Sequence, residues 1–112
     1  MNAAQKELFL VPFPFSDGSG KKVRPVLVLS KDQFNNTSQD VIVCAITSNL
    51  EKHSYSLQIS QKDLEEGTLH TSSTIKIENI LKVDKTLLLK KIGKIKEPTF
   101  TQAQEKLYTL FQ

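Results

Sequence analysis

Residues 11–30 read VPFPFSDGSGKKVRPVLVLS, and the rest of the chain is best read outward from them. A hydrophobic strand breaks into a polar loop that carries Asp-Gly and Ser-Gly turn signals. The loop ends in Lys21, Lys22 and Arg24, and Pro25 then opens a second apolar run. A residue that precedes proline is biased to extended backbone, which predicts Arg24 at the base of a strand with its guanidinium free. A fixed cation at a strand mouth beside a loop suits an anionic ligand, with phosphate foremost. The commoner role of a single arginine is a surface ion pair, for instance with Asp17.

Outward from this stretch, residues 8–15 read as a strand in which Pro12 and Pro14 mark a sheet edge or bulge. Residues 16–23 form the loop. Residues 25–30 and 41–47 are continuous apolar runs, the pattern of strands buried on both faces, and the polar residues 31–39 connect them. Residues 55–60 alternate weakly. Residues 60–66 can cap and form one short helical turn that Gly67 ends. Residues 74–80 alternate, with Ile75 and Ile77 on one face, and residues 87–95 read as a strand or strand pair broken at Gly93. From 98 the period changes: Phe100, Ala103, Leu107, Leu110 and Phe111 recur at helical spacing, with Pro98 or Thr99 as the start. Short strands followed by one amphipathic helix predict a mainly β chain, a small barrel with a C-terminal helix packed on it. The 112 residues suit one domain, residues 1–112.

Composition narrows the functional classes. Apolar residues make up 38% of the chain, which excludes a disordered chain, and no apolar stretch is long enough to span a bilayer. The N-terminus MNAAQKELFLV lacks the pattern of a secretory signal, so a cytoplasmic location is expected. The one cysteine, Cys44, lies in the apolar run VIVCAI and reads as core packing rather than a nucleophile. One cysteine with His53 and His70 is a poor set for structural zinc, and no metal or cofactor is expected. The formal charge is +3, which permits nucleic-acid binding without requiring it. Between Lys76 and Lys96 seven lysines stand against Glu78 and Asp84. Individually they read as a solvated strand face; together they add a positive field.

Thr47 and Ser48 end the second apolar run, followed by Asn49. Hydroxyls at a strand end can donate to phosphate oxygens or bond the local backbone. The connection between the two apolar strands is short enough for antiparallel pairing, which brings the start of the first strand to the end of the second. Arg24 and Thr47 should then converge, with the 16–23 loop beside them.

The segments LFLVPFPFSDGSGKKVRPVLVLS, DVIVCAITS and VDKTLLLKKIGKI resemble the MazF/PemK (Kid-type) toxins of type II toxin–antitoxin systems, over nearly the whole chain. The resemblance implies an SH3-like barrel of MazF/CcdB type, a homodimer, and metal-independent cleavage of single-stranded RNA that inhibits translation. It implies Arg24 and Thr47 as the catalytic pair. Ser16, Asp17, Ser19, Lys21, Lys22 and Ser48 would contact RNA. The implied partner, besides RNA, is a cognate antitoxin with a disordered acidic tail that mimics RNA on the basic groove. Two features depart from the family pattern: the family usually opens its first strand with Gly-Asp after a basic residue, where this chain has Lys6, Glu7 and Leu8, and Val23 stands where a basic residue often precedes Arg-Pro.

The chemistry is accessible to these residues. RNA carries its own nucleophile, the 2′-hydroxyl. Arg24 can supply fixed charge and two donors to the phosphoryl oxygens, and Thr47 one more donor. The products would carry a 2′,3′-cyclic phosphate and a 5′-hydroxyl. The resemblance implies that the arginine takes part in proton transfer, although an ordinary arginine stays protonated. His53 and His70 lie in polar connecting segments and read as solvated; Asp17 and Glu51 are the remaining candidate bases. Phe13, Phe15 and Phe34 border the site. With so few aromatics to stack on bases, polar loop residues should set the cut sequence. The competing readings are a non-catalytic CcdB-type barrel that poisons a protein such as gyrase, and an RNA-binding regulator.

Overall fold

The computed structural model describes residues 2–14, 21–50 and 52–112, with Pro14 and Lys21 described as backbone alone. Strands β1 (Glu7–Pro14) and β2 (Lys21–Val28) are followed by helix α1 (Asp32–Thr37) and strand β3 (Asp40–Thr47). Next come β4 (Ser56–Ile59), a 3-10 turn at Gln61–Asp63, β5 (Leu64–Gly67) and β6 (Ser73–Asp84). A second 3-10 turn at Lys85–Leu87, β7 (Lys90–Ile95) and helix α2 (Glu97–Thr109) complete the chain. The strands form one curled, antiparallel, seven-stranded half-barrel in the order β4-β6-β3-β2-β1-β7-β5, with α2 packed on it.

Alternation along the strands divides the buried residues between two cores. Leu8, Leu27, Leu29, Cys44, Ile46, Ile75, Ile77 and Ile95 pack with Phe100 and Ala103 of α2. Phe9, Val11, Val26, Val28, Val41, Val43, Val83 and Leu88 fill the other. Both faces of β2 and β3 are therefore buried, which is why their sequences are unbroken apolar runs. Each fully buried aliphatic or aromatic side chain contributes on the order of 1.5–3 kcal/mol.

Polar side chains fix the joints. Ser60 and Asp63 form a reciprocal capping box around the first 3-10 turn. The Asp63 carbonyl accepts from Lys96 N–H at 2.9 Å, and its carboxylate accepts from the buried Thr99 hydroxyl at 3.2 Å. One aspartate thus holds both the turn and the start of α2, and Pro98 sits in the helix's first turn, where its missing N–H costs nothing. Asn35 of α1 is buried; its Nδ2 donates to the Ser30 carbonyl at 2.9 Å, and the Ser30 hydroxyl bonds the Asn35 Oδ1.

Several boundaries differ from the sequence reading. Lys21, Lys22 and Val23 belong to β2 rather than to the loop, because they pair with Pro14, Phe13 and Pro12 of β1. The polar 31–39 connection contains α1, whose six residues are too few for a helical period to register. The turn after Ser60 stops at Asp63, and Leu64–Gly67 pairs with β7 as a strand. The 87–95 segment splits into a 3-10 turn and β7. Lys6 takes a left-handed backbone, φ 80, where glycine is easiest. It is held there because its N–H donates to Val28, its carbonyl accepts from Ile95, both at 3.0 Å, and its ammonium pairs with Glu97.

Candidate active site

The β2–β3 register pairs Val26 with Ala45, Leu27 with Cys44 and Val28 with Val43. Continued two residues toward the sheet mouth, the same register sets Arg24 opposite Thr47. Both lie on the face of Val26, Val28 and Val43, away from the α2-side core, because side chains alternate along a strand. The row extends across the sheet: Arg24 pairs with Val11, Thr47 with Thr74, and Thr74 with Gln58. A parallel row runs through Phe9, Val26, Ala45, Lys76 and Ser56.

Arg24 and Thr47 are half-buried, whereas Lys22 and Ser48 are exposed. Lys22 stands opposite Phe13, on the face of Arg24 and one pleat outward. Among the described residues no carboxylate lies within ion-pair distance of Arg24 or Lys22. The Thr47 Oγ1 accepts the Asn49 N–H at 3.2 Å. This is the local backbone bond typical of a strand-end threonine, and it leaves the hydroxyl proton to donate elsewhere. Val23 is 48% exposed on the opposite face.

Ser16, Asp17 and Ser19 lie outside the described residues, as do Phe15 and Glu51, and Lys21 is described only as backbone. The structure therefore brings together Arg24, Thr47, Lys22 and Ser48 at one sheet edge. Along the same rows lie Lys76 and Gln58, which the sequence reading does not single out, and Thr74, which is fully buried. Their signal was the alternation of 74–80: with Ile75 and Ile77 in the α2-side core, Thr74 and Lys76 must face the other way.

The histidines separate. His53 lies just before β4, its N–H donating to the Ser56 hydroxyl at 3.0 Å and its Nδ1 accepting from Tyr55 N–H at 3.2 Å. Its Nε2 is 3.7 Å from Glu78 Oε2, which ties it to the strand that carries Thr74 and Lys76. His70 borders a cleft with Thr68, Lys90 and Lys91 near β7. Cys44 is fully buried, and burial first, then the Glu78 charge, pushes its thiol up to about 12, so it holds its proton at neutral pH. Among the described residues no group of three or more His, Cys, Asp or Glu side chains could hold a metal ion, and no helix is long and apolar enough to cross a membrane.

Comparison with known proteins bears on the fold and the family. No curated protein sequence matches the chain. An endoribonuclease from a mycobacterial species superposes with a TM-score of 0.79 at 15% identity, over 97% of this chain and 90% of that one. A second mycobacterial endoribonuclease, solved with its cognate antitoxin, gives a TM-score of 0.80 at 15% identity over 96% and 92% of the two chains. A MazE-MazF crystal structure from Deinococcus radiodurans gives 0.80 at 17% identity over 98% and 96%. At these identities the likeness establishes the fold. The family model for PemK-like, MazF-like toxins of type II toxin-antitoxin systems matches residues 4–111. The chain belongs to that family.

Proposed function

We propose that this chain is a sequence-selective endoribonuclease toxin that cleaves single-stranded RNA without a metal and so inhibits translation. The 2′-hydroxyl gives up its proton as it attacks the adjacent phosphorus, the bond to the 5′-oxygen breaks as that oxygen takes up a proton, and the products carry a 2′,3′-cyclic phosphate and a 5′-hydroxyl. Arg24 supplies positive charge and two donors to the phosphoryl oxygens. Thr47 donates its hydroxyl to a nonbridging oxygen. Lys22 and Ser48 border the same edge and would hold neighbouring phosphates, together with Ser16, Asp17, Ser19 and Lys21 from the preceding stretch.

The observation that carries this reading is that Arg24 and Thr47 fall on one face of β2 and β3, each two residues beyond the Val26–Ala45 pair. Support also comes from structural neighbours that are endoribonucleases. One neighbour is solved with its antitoxin, which favours a cognate antitoxin here, with an acidic tail laid across the Lys22–Arg24 edge. The working unit would be a homodimer of one-domain chains in the cytoplasm.

The test is incubation with a long single-stranded RNA in excess chelator, followed by end-group analysis. Discrete fragments with 5′-hydroxyl and cyclic-phosphate ends are expected. RNA that remains intact, with the folded protein in excess, defeats the reading.

A further inference from the structure

Two neighbouring lysines open β7, and their surroundings differ. Lys91 is neutralised by Glu7 and Glu66. Lys90 is exposed and pairs with no carboxylate among the described residues. It lines a cleft with Thr68, Leu69 and His70, which follow β5, and with Ile92 of β7. His70 is also exposed and without a partner among the described residues. Glu66, the acid at the end of β5, is held by Lys91.

Both walls of this cleft are anchored. The Gln61 side-chain amide grips the 67–70 segment at two points: its Nε2 donates to the Gly67 carbonyl at 3.1 Å, and its Oε1 accepts the Leu69 N–H at 2.7 Å. Leu69 and Ile92 pack against the α2-side core and give the cleft an apolar base. On the other wall, Lys90 stands opposite Leu10 of β1, and the Leu89 N–H donates to the Leu10 carbonyl at 2.9 Å. An ammonium, an imidazole and a hydroxyl therefore border one cleft from two separately fixed segments. The ammonium donates only, and the imidazolium form of histidine donates from both nitrogens. Donors of this kind suit an oxyanion, and bonds from charged donors are the stronger ones. A carboxylate offers two oxygens in one plane. A phosphate group offers three or more acceptor oxygens in a tetrahedral array, one for each donor.

We propose that the cleft between residues 67–70 and the start of β7 is a phosphate-binding site separate from the Arg24–Thr47 edge, with Lys90, His70 and Thr68 as its donors. The phosphate belongs to a nucleic-acid strand or is free in solution, and the site stands whether or not the chain cuts RNA. The experiment titrates the full chain with inorganic phosphate at constant ionic strength and about pH 6, where histidine is partly charged. The ring C–H resonances of the two histidines are followed by NMR, and His70→Gln assigns them. A saturable shift of the His70 resonance with His53 unmoved is expected. Lys90→Gln should weaken the apparent Kd at least about tenfold, the scale of one hydrogen bond from a charged group, and Lys96→Gln, outside the cleft, should leave it unchanged. A His70 shift that does not saturate overturns the proposal, as does equal binding by wild type and Lys90→Gln. Should Lys90→Gln fail to fold by circular dichroism, the wild-type titration still decides. A second arm uses an all-2′-deoxy oligonucleotide, which lacks the nucleophile for cleavage. If it moves the same resonance and phosphate competes with it, the strand backbone is the source; if phosphate alone acts, the site takes the free anion. A glutamate-rich peptide that saturates the His70 shift at lower concentration than both phosphate probes overturns the proposal in favour of a carboxylate ligand.

Discussion

Cations flank β1 on both sides, and they are treated in opposite ways. On the β7 side, Lys91 lies 2.8 Å from Glu7 and 3.7 Å from Glu66, and Lys94 lies 3.4 Å from Glu65. On the β2 side, Lys22 and Arg24 meet no carboxylate among the described residues. Lys91 and Lys94 of β7 are matched by the chain's own acids and serve the sheet edge. Among the described residues no carboxylate neutralises the β2 cations. A run of lysines in a sequence therefore says little about binding until the partners are known, because the same charge is either neutralised locally or presented.

The sharpest break in this contrast is Arg24→Ala. It should abolish RNA cleavage while circular dichroism and thermal unfolding stay near wild type; a folded Arg24→Ala variant that cuts RNA at full rate would remove the β2 edge from the mechanism. Thr47→Ala should slow cleavage by about ten- to a thousandfold, the usual effect of losing one donor to a developing oxyanion. Single-turnover kinetics would measure it, and an unchanged rate would leave Thr47 as a strand-end hydroxyl only.

On the other side the expected losses are of stability. Gly67 has φ +87, and a Cβ there would meet the Ile92 carbonyl oxygen at 2.2 Å. Gly67→Ala should destabilise the β5–β7 edge by about 1–3 kcal/mol in denaturant unfolding, with cleavage per folded molecule retained. Lys91→Gln should cost less than about 1 kcal/mol, as for other exposed pairs. The Glu7 hydrogen bond raises the Lys91 pKa above the ordinary 10.5. The pair's contribution is therefore complete below pH 10.5 and lost as pH rises through the higher folded value. A difference between wild type and Lys91→Gln that persists unchanged above that range would show that packing, not charge, is lost.

Much of this was legible in the chain itself. The apolar runs 25–30 and 41–47 signal strands buried on both faces, and both supply residues to the two cores. Arg-Pro marked a strand-bound arginine, although β2 extends back to Lys21 because Lys22 pairs with Phe13. Helix α1 escaped notice because six residues carry no readable period. Leu64–Gly67 was read as the end of a helical turn, since its strand character depends on a partner, β7, that lies far along the chain. His53 was read as a solvated loop residue; its place beside Glu78 depends on β4 pairing with β6.

The chain alone determined where the polypeptide must be extended and which residue types could meet a phosphate, because proline geometry and side-chain alternation act within a few residues. Only the tertiary structure decided which groups stand together. Strand order and register are set by burial of two opposed cores across distant segments. That packing sets Arg24 opposite Thr47, carries the row on to Thr74 and Gln58, and lifts Glu78 out of the ladder on a bulge.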